Sequence, residues 1–74
     1  MDLKAAVAVA KQHIADLFAP DIPGNVRLEE FLYDDHLAVW SLTIGYALTN
    51  ADARNYKIIR VSETNKSVLS VKDR

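Results

Sequence analysis

The chain has no cysteine, only two glycines and two prolines, and almost no excess of charge of either sign. Without cysteine there is neither a disulfide framework nor a thiolate metal site. Small secreted domains often rely on such staples, so the composition favours a reducing compartment and a cytoplasmic location is expected, a periplasmic protein with its signal removed being the alternative. Two glycines are too few for a phosphate-cradling loop, and no serine sits in a nucleophile elbow. Nine Lys and Arg face ten Asp and Glu, a formal charge of −1. Such a balance gives no long-range attraction to nucleic acid or anionic lipid, and neither is expected as a partner. No apolar stretch approaches the ~20 residues needed to span a bilayer. The opening MDLKAAVAVA lacks a basic leader, because Asp2 offsets Lys4, and Lys11, His13 and Asp16 interrupt its apolar run. An export signal is therefore not expected.

What is present is a single-domain length of 74 residues, half of them hydrophobic, with both charges interspersed. Leu3, Val7, Ala10, Ile14 and Leu17 recur at helical spacing, with Lys4, Lys11 and Asp16 off the stripe. Asp2 is placed to cap the helix. Alanines supply propensity and allow close approach to a sheet, and Pro20 stops the helix, giving an expected span of about 2–19. Asp21 to Asn25 reads as a turn in which Gly24 and Asn25 can take positive φ.

Four strand-like segments follow, at about 26–33, 37–46, 55–62 and 67–72. In the first, the alternation slips at Glu29-Glu30 and resumes at Phe31 and Tyr33, which predicts a β-bulge. The second alternates most clearly, with Ala38, Trp40, Leu42, Ile44 and Tyr46 on one face and Ser41, Thr43 and Gly45 on the other. Trp40 is expected to anchor the core beneath the helix. The longest connection runs from Ala47 to Asn55. Glu63 to Lys66 is a tight turn, with Asn65 expected in the left-handed conformation. The order predicts an α+β fold: one N-terminal helix packed on a four-stranded antiparallel meander, αββββ, filling 1–74 as one domain.

Little points to catalysis. Asp34, Asp35 and His36 could be drawn as a metal cluster, but adjacent turn residues rarely aim at one ion, and a solvated acidic hairpin is the better reading. His13 reads as a helix-flank residue. Glu29 and Glu30 would point to opposite faces unless a bulge realigned them, so they make a poor acid–base pair. No catalytic, cofactor-binding or metal-ligating residue is assigned, no cofactor is expected, and the chain is not expected to be an enzyme.

One helix covers one side of a sheet, so apolar residues on the other would face solvent in a monomer. If the Trp40 face meets the helix, Leu37 and Val39 point away, with Ile58 and Val68 as further candidates. Tyr56 and Arg60 would be rim contacts, since aromatic residues and arginine dominate many interfaces. The expected partner is another protein or a second copy of the chain. Edge strands offer a second route, because their backbone groups can accept a partner strand. Basic residues Lys57, Arg60, Lys66 and Lys72 beside Tyr56 are better read as a solvated face than as a site for single-stranded nucleic acid.

The segment Tyr56-Lys57-Ile58-Ile59-Arg60-Val61-Ser62-Glu63-Thr64-Asn65-Lys66-Ser67-Val68-Leu69-Ser70-Val71 resembles the closing hairpin of PepSY-like domains. There a strand enters an Asp-Ala-x-Thr-Gly-x-Val turn and a final strand. Ser62 stands for the usual Asp, and the usual Gly is absent from the turn that holds Asn65. The alanine-rich helix and the Trp40 strand fit the same element order, which cystatin-like and small immunity-type proteins share. The resemblance implies a non-catalytic regulatory or inhibitory module. The alternatives are an immunity- or antitoxin-like inhibitor and a small-ligand-binding domain with a pocket near Trp40 and Tyr46.

Overall fold

A computed structural model describes residues 1–48 and 54–74. The expected connection polar at Thr49, Asn50 and Asp52 lies largely outside them. Helix α1 spans Leu3–Phe18 and strands β1 Gly24–Asp34, β2 Val39–Ala47, β3 Asn55–Ser62 and β4 Ser67–Asp73. The strands form one antiparallel sheet in the order β1-β2-β3-β4, so every strand pairs only with its neighbours in sequence. This is the αββββ architecture that the sequence predicts.

Local chemistry sets the helix ends. The Asp2 carboxylate accepts a hydrogen bond from the Ala5 N–H at 2.8 Å, satisfying one of the donors left free in the first turn. Ala19 leaves the helix with ψ 140°, the extended conformation that a following proline favours. The buried face is Ala6, Ala10 and Ile14, narrower than the expected stripe, and Leu17 is exposed. In the last turn Phe18 takes the inward role instead, its ring centroid 5.2 Å from that of Tyr46.

The core joins Ala6, Ala10 and Ile14 to Leu42, Ile44 and Tyr46 of β2 and Ile59 and Val61 of β3. Two alanines at the contact let the helix backbone lie close to the sheet. Trp40 shares the helix-side face as expected and packs against this cluster, but it is only half-buried, and its indole N–H is enclosed without an acceptor among the described residues. It flanks the core and is not its anchor.

Bulges decide two faces. The register skips between Leu28 and Glu30, where the slip in alternation predicted it. Two further skips are unforeseen: one lies between Gly24 and Arg27, and the other sets Arg60 opposite Ser70 but Val61 opposite Val68, leaving Leu69 as the extra residue. One extra residue reverses every side chain beyond it. Val68 therefore turns to the helix side and packs on the core, contrary to the expectation that it faces outward.

The β1–β2 and β3–β4 hairpins close at the same end of the sheet with four-residue connections. The Asp34 carboxylate accepts from the N–H groups of His36 and Leu37 at 2.9 and 3.0 Å, and Ala38 takes φ 55°. The Ser62 hydroxyl accepts from Asn65 N–H at 3.0 Å, and Lys66 takes φ 56°. The left-handed residue is thus Lys66, not Asn65, because Ser62 captures Asn65 and pushes the turn's reversal one position on. At the other end Asn25 takes a positive φ of 50°, while Gly24, the other residue read as able to, does not. The two turns meet where Glu63 N–H donates to Ala38 carbonyl oxygen at 2.9 Å.

Candidate interaction surface

The face of the sheet away from the helix is mostly polar. Register places on it Arg27 and Glu30 of β1, Ser41 and Thr43 of β2, Arg60 of β3, and Ser70 and Lys72 of β4. Gly45 makes room there for an ion-pair cluster. A Cβ at that position would stand 2.7 Å from a Glu29 carboxylate oxygen and 2.8 Å from an Arg54 guanidinium nitrogen. Glu29 Oε1 lies 3.1 Å from Arg27 and 3.4 Å from Arg54, while Glu30 meets Arg74 at 3.1 Å. Such solvent-facing pairs contribute about 0–1 kcal/mol each, so they order the face more than they stabilise it.

The six residues expected to form an interface do not come together as one apolar patch. Leu37 is exposed, but it lies in the β1–β2 connection and not on a strand. Val39 is 5% exposed, and so is not available on the surface. It pairs with Asp34 and Ser62 beside the junction of the two turns. Val68 belongs to the helix side. Ile58 is half-buried between Thr43 and Lys72, and Arg60 is half-buried between Ser41 and Ser70. Tyr56 is half-buried, with the Arg74 guanidinium 5.5 Å from its ring centroid.

Exposed apolar side chains gather instead at the end of edge strand β1, while Leu17, Ile22 and Leu69 are exposed elsewhere in the fold. Phe31 is 56% and Leu32 68% exposed, pointing to opposite sides of β1, and Leu37 lies just beyond at the turn. Tyr33 and Trp40 stack at 4.5 Å between ring centroids, and Phe31 lies 6.4 Å from Trp40. Phe31 has the parity of the helix-side face, yet α1 leaves it uncovered. The sequence signal was available: Phe31-Leu32-Tyr33 is apolar in both phases on the first strand of a meander, and that strand is necessarily an edge.

Tyr33 braces this region. Its hydroxyl donates to the Glu63 carboxylate across the two turns. That bond holds Glu63 below its ordinary pKa of 4.5 and raises Tyr33 above 10.0, because it favours the ionised acid and the protonated phenol. The Glu63 contribution to stability is present above pH 4.5 and is lost as pH falls through its lowered folded value. The Tyr33 contribution is present below pH 10.0 and is lost as pH rises through its raised value. Tyr33→Phe is therefore expected to flatten both limbs of a plot of melting temperature against pH. Identical acid limbs for the two proteins would show that the contact carries no linkage.

Two open clefts border the helix. One, of about 430 Å³, is lined by Val9, Gln12, His13, Asp16 and Val68, and the other, of about 410 Å³, by Phe18, Tyr46, Lys57 and Asp73 among others. Trp40 lines neither. Lys57 is raised above its ordinary pKa by its hydrogen bond to Asp73. Among the described residues no three His, Asp or Glu side chains converge as a metal site, and no helix is long and apolar enough to cross a membrane. Comparison with protein-family models, curated proteins and solved structures finds no match.

Proposed function

We propose that this chain is a non-catalytic binding module that takes an extended segment of a partner protein along the free edge of β1. The observation that carries this reading is the exposed Phe31-Leu32 pair on a strand whose outer backbone side has no neighbour in the sheet. Proteins usually blunt such edges with charge, proline or bulges. Here the blunting stops halfway: Arg27, Glu29, Glu30 and a bulge guard the first part of β1, while residues 31–33 have none of these devices. An added strand would bond to the backbone and draw specificity from alternate side chains on the two faces. A regulatory or inhibitory role of the PepSY-like or immunity-like kind would use such an edge and needs no catalytic group.

The test is retention of the native binding partner by immobilised protein. Phe31→Lys with Leu32→Lys is expected to abolish retention while leaving the far-UV circular dichroism spectrum unchanged. Ile58→Lys with Arg60→Glu, on the open face, is expected to leave retention intact. The reverse pattern would move the interface to the sheet face and end the edge reading.

A further inference from the structure

Resting on that edge reading, we infer the chemistry of the incoming segment: an apolar strand preceded by basic residues, running antiparallel to β1. The run Glu29-Glu30-Phe31-Leu32-Tyr33-Asp34-Asp35 sets two acids on each side of three apolar residues. The two ends differ in how those acids are used. Glu29 is held by Arg27 and Arg54, and Glu30 by Arg74. Asp34 accepts only backbone N–H groups of its own turn, and among the described residues no Lys or Arg pairs with Asp34 or Asp35.

The negative potential left over therefore lies at the end of the apolar stretch that leads into the turn. In an antiparallel pairing, the N-terminal end of the partner segment meets that end. Its basic residues would face Asp34 and Asp35, and its apolar residues would follow along Phe31, Leu32 and Tyr33. Opposite charges across a strand pair favour association, and like charges directly opposite oppose it. A second copy of this chain is the poorer occupant, because it brings acids, Glu30 already paired with Arg74, and, among the described residues, no free cation to Asp34 and Asp35. An antiparallel dimer centred on Leu32 sets Glu30 of each copy opposite Asp34 of the other.

Trp40 is the only tryptophan, and its contacts with Tyr33 and Phe31 make its emission a reporter of occupancy at this edge. The probes are three synthetic peptides sharing a Val-Thr-Val-Thr body: one begins with Lys-Lys, one begins with Glu-Glu, and one ends with Lys-Lys. The first is expected to bind at least about fivefold more tightly than the second at low salt, with the gap shrinking in about 0.5 M salt as exposed charges are screened. Asp35→Asn should narrow the same gap without changing the unliganded emission. Equal binding of the lysine-first and glutamate-first peptides would overturn the charge assignment while the edge reading stood. Tighter binding of the lysine-last peptide would overturn the antiparallel direction. No response to any peptide would remove the edge reading and this inference with it. A dimer in solution abolished by Leu32→Lys would give the edge to a second copy and overturn the inference.

Discussion

Ile14→Ala is expected to cost about 2–5 kcal/mol, a loss that removes much of the stability of a domain this size. A chain of 74 residues holds roughly 4–11 kcal/mol in total. Ile14 is the one large side chain that α1 buries completely, since the other two fully buried positions on its inner face are Ala6 and Ala10. Its truncation leaves a void between Leu42, Ile44, Ile59 and Val61, which are themselves fully enclosed and cannot collapse without moving the sheet. Trp40→Ala, at a half-buried position, is expected to cost about half as much despite the larger side chain removed. Urea denaturation of both variants checks the order. A loss below about 1 kcal/mol at Ile14 would mean that the helix is not held through this residue.

Ala10→Leu is expected to destabilise by about 1–3 kcal/mol, even though leucine is an excellent helix former. Ala10 has no exposed surface and faces the enclosed side chains of β2 and β3. Added methylenes there must lift the helix from the sheet or force strained rotamers. Ala15→Leu is the control, because Ala15 is exposed on the same helix and should change stability by no more than about 0.5 kcal/mol. Melting temperatures that fall equally for both would point to helix propensity as the cause. A fall confined to Ala10 identifies the close helix–sheet contact.

The architecture was legible wherever one residue's chemistry settled a boundary. Asp2 and Pro20 delimit the helix, the paired glutamates mark the first bulge, and the alternation through Leu42, Ile44 and Tyr46 identifies the core side of β2. The surface was less legible, because period-two reasoning carries a face assignment along a strand only until the register slips. Leu69 shows no sequence mark of a bulge, being one apolar residue among others, yet its insertion turns Val68 to the helix. Val39 misleads for a different reason. Alternation gives its direction correctly but not its burial, next to a junction of two turns far apart in sequence. The exposed edge at Phe31 and Leu32 depended on how far a single helix reaches across four strands, which hydrophobic pattern does not encode.

The strict neighbour-to-neighbour order of the sheet also shapes how the chain reaches its native state. Each hairpin can zip from its own turn, so the strands need little long-distance search, and folding should be fast for a molecule this rich in β-structure. The helix is made before the strands, yet its docking platform is complete only when the last strand has emerged. At 16 residues it is marginal on its own in water. A truncated chain ending after the second strand would therefore present an unattached apolar helix and a half-built sheet, the kind of species that chaperones recognise.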